Sequence, residues 1–195
     1  MPAQKALRQN LITRREGSHM KKAALFAFGS LLFGMMASGQ VLARTARTEL
    51  RNPQGEVVGS ATLTQEVDGV TISVRVSKLT PGHHAFHVHA VGKCEPPGFT
   101  SAGGHFNPTD QPHPGHAGDL PGLLAKVDGQ ASLTLQTDRF QLEDLFDADG
   151  SALIVHAGPD NHANIPKDRY RPDPDATTLA TGDAGARVAC GVITK

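Results

Sequence analysis

Polar and apolar residues alternate without a break from Val70 through Thr71, Ile72, Ser73, Val74 and Arg75 to Val76. A period of two over this length predicts a strand with one face in a core and one in water. Asp68-Gly69 precedes it and reads as a hairpin turn from an earlier strand through Val57 to Val67. Asp128-Gly129 repeats the signal before Ala131-Ser132-Leu133-Thr134-Leu135. His83 to Val91, Ala152 to His156 and Val188 to Ile193 read as further strands, and Gln141 to Phe146 as a short helical turn. No stretch carries sustained helical periodicity, and there is no internal repeat. Two long stretches, Gly92 to Leu123 and Ala157 to Ala186, have little strand signal and are rich in Gly, Pro, Asp and His. Loops of that length in a compact domain are usually functional or disordered. The pattern therefore predicts an all-β, antiparallel sandwich or barrel carrying two large loops.

The N-terminal part follows another pattern. Met20-Lys21-Lys22 leads into an apolar run from Ala23 to Met36, then Ser38-Gly39-Gln40-Val41-Leu42-Ala43. A basic start, a short apolar stretch and small residues before Ala43 read as a secretory signal over 20–43, cleaved after Ala43. The run is short for a membrane span, which needs about 20 residues, so no stable membrane anchor is expected after cleavage. Residues 1–19 are set aside. Gly17-Ser18-His19-Met20 resembles an expression-tag scar, but with an intact export signal behind it an upstream mis-start is favoured. The body, 44–195, is the right size for one domain.

That body holds 13 Lys and Arg against 18 Asp and Glu, a net charge of −5 with His neutral. It has no basic tract for nucleic acid and no basic amphipathic helix for a membrane surface. Its two cysteines, Cys94 and Cys190, in an exported chain are most simply a disulfide, worth at most about 4–5 kcal/mol in the chain-entropy account and usually less.

The histidines change the picture most. His87 and His89 lie two apart on a strand, so both imidazoles project to one face while Val88 points to the core. Such a pair is a two-ligand platform, or simply a polar face. His105, His113, His116 and Asp119 follow within fifteen residues among Pro108, Pro112, Pro114, Gly115 and Gly118. Three imidazoles and a carboxylate make a complete tetrahedral zinc set. His156, at the end of an apolar strand, reads alone as a satisfied structural residue; in company it would give His87 and His89 a distant third partner.

Ala85-Phe86-His87-Val88-His89-Ala90-Val91-Gly92-Lys93-Cys94 resembles the first signature of the copper/zinc superoxide dismutases. Gly104-His105-Phe106-Asn107-Pro108 resembles their bridging-histidine segment, and Gly182-Asp183-Ala184-Gly185-Ala186-Arg187-Val188-Ala189-Cys190-Gly191-Val192-Ile193 their C-terminal signature. The match runs in order from about Glu49 to Ile193, and the export signal and the loop from Lys93 to His105 resemble the secreted bacterial branch.

The resemblance implies a Greek-key β-sandwich or barrel of about eight strands, with one copper and one zinc per chain. His87, His89, His105 and His156 match the copper ligands; His105, His113, His116 and Asp119 match the zinc ligands, with His105 bridging both. Asp160 matches the carboxylate linking His87 to His113, and Cys94–Cys190 the family disulfide. Arg187 matches the arginine beside the open copper face. The implied activity is disproportionation of superoxide, with His105 taking and returning a proton, protecting the cell envelope. The implied location is the periplasm, cell envelope or exterior, and the implied assembly a homodimer or a monomer. Lys167, Arg169 and Arg171 offer further steering of the anion, opposed by Asp168, Asp173 and Asp175. Two positions depart from the pattern: Ala85 stands where Gly is usual, and Asp183 where Asn or Gly is common. His84 matches a structural histidine; His19, His83 and His162 have no assigned role. The rival readings are a non-catalytic, chaperone-like copper/zinc-binding protein on the same fold, and a structural β-sandwich with a His-rich loop. Completeness of the ligand sets argues against the first, and the spacing after His105 against the second.

Overall fold

The computed structural model describes residues 44–165 and 174–195. The expected signal segment, Lys167, Asp168, Arg169, Arg171 and Asp173 lie outside the described residues. Eight antiparallel strands form one sheet: β1 Thr45–Arg51, β2 Val57–Glu66, β3 Gly69–Val76, β4 Gly82–His89, β5 Asp119–Ala125, β6 Ala131–Thr137, β7 Ala152–His156 and β8 Arg187–Val192. Their order is β5-β4-β7-β8-β1-β2-β3-β6, and the two edge strands lie alongside each other, so the sheet is a nearly closed barrel. Connections that leave β3 for β4 and return from β5 to β6 give the Greek-key crossing. Leu50, Leu63, Ile72, Val74, Phe86, Val88, Leu123, Leu153 and Val155 fill the interior.

Both expected hairpins form, each with its own reason for glycine. In β2–β3, Glu66 pairs with Gly69 across a two-residue turn. A β-carbon at Gly69 would overlap the Thr137 carbonyl of β6, so close approach of a third strand demands glycine there. In β5–β6, Lys126 N–H donates to Gln130 O (2.9 Å) and Gly129 adopts φ +75°, the left-handed residue of a three-residue hairpin loop.

Two strands escaped the sequence pattern. β1 was not anticipated, although Ala46, Thr48 and Leu50 do alternate inward. β5 begins at Asp119, inside the stretch expected to have little strand signal. Pro121 and Gly122 hide it: pairing with β4 shifts register between His84 and Phe86, and the proline sits at that irregularity on an edge strand, where a missing N–H is tolerated. The second long stretch contains α1, Ala176–Thr181, whose first turn is capped by the Asp175 carboxylate accepting from Thr177 N–H and Thr178 N–H. The expected turn near Gln141 is a 3-10 helix, Leu142–Phe146.

β4 and β7 are buried on both faces, which removes their alternation. The loop after β4 covers them: Phe99 and Ala102 pack with Ala152, Ile154 and Cys190 outside the barrel. The Cys94–Cys190 disulfide, 96 residues apart in sequence with Cα atoms 5.7 Å apart, ties this loop to β8.

Candidate metal centre

Under that cover, His87 and His89 of β4, His105 of the loop after β4 and His156 at the end of β7 each offer a ring nitrogen, and all four lie within 4.8 Å of one another. His105, His113, His116 and Asp119 form a second such group. The antiparallel bridge between His89 and His105 brings the two together. All the histidines named as ligand candidates are buried.

The ring hydrogen bonds reveal what the arrangement is for. A neutral imidazole has one N–H and one lone pair, and the partner of the first decides where the second points. His87 and His113 each donate from Nε2 to one Asp160 oxygen, both at 2.8 Å. Their Nδ1 atoms then face the centre without a hydrogen bond. His89 donates from Nδ1 to Gly103 O (3.0 Å) and His156 from Nδ1 to Gly185 O (3.1 Å), leaving both Nε2 atoms buried and unpaired. His105 directs Nδ1 at Asp119 Oδ1 (2.7 Å) and, near it, His116 Nδ1 (3.2 Å), while its Nε2 is buried without a partner beside the His87 ring. Buried polar atoms are normally paired. Four orphaned imidazole nitrogens converging on one point, and a fifth on His113 beside Asp119, fit metal ions, and the N-rich and N3O donor sets suit copper and zinc respectively.

The electrostatics hold these groups ready. Burial pushes the His89 imidazole down to about 2 and His156 to about 3, with neighbouring imidazoles and Arg187 lowering both further. Burial lowers His105 and His116 too, against the pull of Asp119. Burial would raise Asp160 and Asp119, but hydrogen bonds from His87 and His113 to the first, and from His105 to the second, hold both below the usual carboxylate range. At neutral pH His89, His105, His116 and His156 are therefore neutral and Asp119 and Asp160 charged, the forms that ligate metals.

Around this centre, Arg187 donates to Phe99 O (2.6 Å) and Gly103 O (2.7 Å), so Gly103 O receives both Arg187 and His89. His84 is buried with Nδ1 2.6 Å from His156 O and Nε2 2.8 Å from Thr80 O, a structural brace. Asp183 takes a left-handed φ of +54°, which explains the preference for Asn or Gly at its position, and accepts from Thr178 Oγ1 and Asn161 Nδ2. Ala85 is buried beside the register shift, its N–H on Gly158 O. His83 is exposed.

Sequence reasoning missed several contributors. His162, 57% exposed at its side chain, donates its backbone N–H to Asp160 Oδ1 (2.7 Å), and its ring lies parallel to His113 at 6.5 Å. Gly182 backs onto Asp160. Gly103 serves through its carbonyl alone, which no residue-type signal could reveal.

The family profile described as "Copper/zinc superoxide dismutase (SODC)" matches residues 57–193. Superoxide dismutase [Cu-Zn] of Mycobacterium tuberculosis is 44% identical over 174 residues, covering 77% of this chain and 70% of that one. The protein of the same name from Photobacterium leiognathi is 36% identical over 89% of this chain and 99% of its own. Among solved structures, Cu/Zn superoxide dismutase from Brucella abortus superposes with a TM-score of 0.60 at 33% identity, over 76% of this chain and 99% of that one. A SOD-like protein from Bacillus subtilis superposes at 0.61 with 31% identity, over 75% and 96%. With a match across most of the chain and two donor sets that fit the two metals, this chain belongs to the copper/zinc superoxide dismutase family.

Proposed function

We propose that His87, His89, His105 and His156 hold copper and that His105, His113, His116 and Asp119 hold zinc. On this reading the enzyme disproportionates superoxide to oxygen and hydrogen peroxide. The observation that carries it is the tautomer pattern: His87, His89, His113 and His156 each donate one N–H outward and aim an unpaired nitrogen inward.

Copper supplies the one-electron couple that the reaction needs, and zinc, which has no redox chemistry, supplies fixed charge. His105 has the distinctive role among the side chains, because its two nitrogens face different pockets. Nε2 would take a proton from water in one half-reaction and give it to the reduced substrate in the next, while Nδ1, on the side of Asp119 and His116, would serve the zinc set. Asp160 keeps His87 and His113 from turning. Arg187, held by Phe99 O and Gly103 O, presents the remaining face of its guanidinium to the incoming anion. The disulfide fits an oxidising compartment. We place the mature enzyme, starting after Ala43, in the periplasm, envelope or exterior; a relative from Brugia pahangi carries the name extracellular superoxide dismutase.

Selective metal loss tests the ligand sets. Asp119→Asn should lower zinc content while copper remains, and His89→Gln should do the reverse, by elemental analysis of folded protein. Loss of the same metal from both variants would sink the assignment.

A further inference from the structure

His116, like His105, is held differently from the other four histidines named as ligand candidates. His87 and His113 are oriented by Asp160, His89 by Gly103 O and His156 by Gly185 O. Among the described residues, no such acceptor meets Nε2 of His116; its Nδ1 faces only Asp119 and His105. Its ring direction must be set through its backbone, which lies in a loop rich in Pro and Gly with few apolar side chains to fix it.

Arg139 supplies that restraint. Its Nη1 is directed at three carbonyl oxygens of this loop: Pro114 (3.1 Å), His116 (3.0 Å) and Asp119 (3.3 Å). Three carbonyls converging on one point repel each other, and a cation with diverging N–H groups relieves that. The clamp comes from a firm base. Thr137, at the end of β6, is buried and accepts from Arg139 N–H (3.3 Å). Phe140 is buried and packs edge-on against Phe106, the neighbour of His105. The guanidinium therefore links the rigid barrel to the turn that carries His113, His116 and Asp119.

We propose that Arg139 is the positioning residue of the zinc pocket: it does for His116, through the main chain, what Asp160 does for His113 through the ring. This rests on the assignment of His113, His116 and Asp119 to zinc. Arg139 touches neither substrate nor metal, so its removal acts on zinc retention and leaves copper in place.

The test is zinc release from the copper- and zinc-loaded protein into a chelating dye at neutral pH, with copper content followed in the same sample. Arg139→Gln should release zinc about 10-fold faster or more, the usual scale for losing a group that supports a ligand. Arg139→Lys, which keeps the charge but not the fork, should fall between the two. Arg75→Gln, an exposed cation on β3, should match the parent. Parent-like release in the Gln protein overturns the proposal, as does loss of both metals together, which marks general loosening. Should the Gln protein not fold, the Lys protein decides: faster zinc release with copper kept supports the clamp, and parent-like release overturns it. A parent protein that holds no zinc would instead overturn the ligand assignment beneath it.

Discussion

Gly182 backs directly onto Asp160: a β-carbon at position 182 would overlap Oδ1 of Asp160 and come within 2.6 Å of His113 Nε2. The glycine also has φ +61°, a conformation that side chains resist. So one position combines a backbone need with a packing need, and both serve the carboxylate that orients His87 and His113.

Gly182→Ala is therefore expected to displace Asp160. Metal affinity should fall by roughly 10- to 100-fold, as it does when a ligand's supporting partner is lost. Backbone strain should add a stability loss of about 1–3 kcal/mol. Metal titration and thermal unfolding of the same protein check both, and Gly55→Ala, outside the site, where φ is +81° but no atom lies within 4 Å of the added carbon, separates strain from displacement.

Acid should destabilise the metal-free protein early. His89 and His156 titrate at about 2 and about 3 when folded, below the ordinary 6.5. Between those values the unfolded chain binds more protons, so stability rises with pH there. It is fully present above about 6.5 and is lost as pH falls towards the folded values, with a slope of at most about 1.4 kcal/mol per pH unit for each group. Asp160 and Asp119, also depressed, extend the loss below the usual carboxylate range. Denaturant midpoints of apoprotein should hold down to about pH 6.5 and then decline steadily to about pH 4, the upper part of that window. A flat profile would contradict the buried, neutral imidazoles.

Arg187 is expected to act on rate rather than on metal binding. Its two hydrogen bonds go to backbone carbonyls of the covering loop, not to a proposed ligand side chain. Arg187→Gln should keep both metals while the second-order rate drops on the order of 10-fold or more and its salt dependence weakens. Arg187→Lys should retain the salt dependence and lose part of the rate, because an ammonium cannot span Phe99 O and Gly103 O while facing the anion. Rates at several ionic strengths distinguish these outcomes.

The legible parts of the fold were those where one face meets water. β3 announced itself through strict alternation, and Asp68-Gly69 and Asp128-Gly129 marked real turns. β7 could be placed but not oriented by pattern, and β4 was oriented only through His87-Val88-His89, because the loop tied down by Cys94–Cys190 buries their outer faces as well. β5 was hidden by Pro121-Gly122, which only an edge strand at a register shift tolerates. At the site, residue types with scarce chemistry could be named from spacing and the family resemblance: His87, His89, His105, His113, His116, His156, Asp119 and Asp160 lie in one neighbourhood. What could not be read acts through the main chain. Gly103 O orients His89 and receives Arg187, Gly185 O orients His156, and Gly182 matters for an atom it lacks.

The most direct test of the central claim is the rate of superoxide disproportionation by the purified protein, with copper and zinc measured on the same sample. The account predicts about one copper and one zinc per chain, as two four-donor pockets require, and a fast rate that disappears when copper is removed and returns with it. Full loading of both metals with no catalysis would contradict it, and would mark this chain as a metal-binding protein on the same fold.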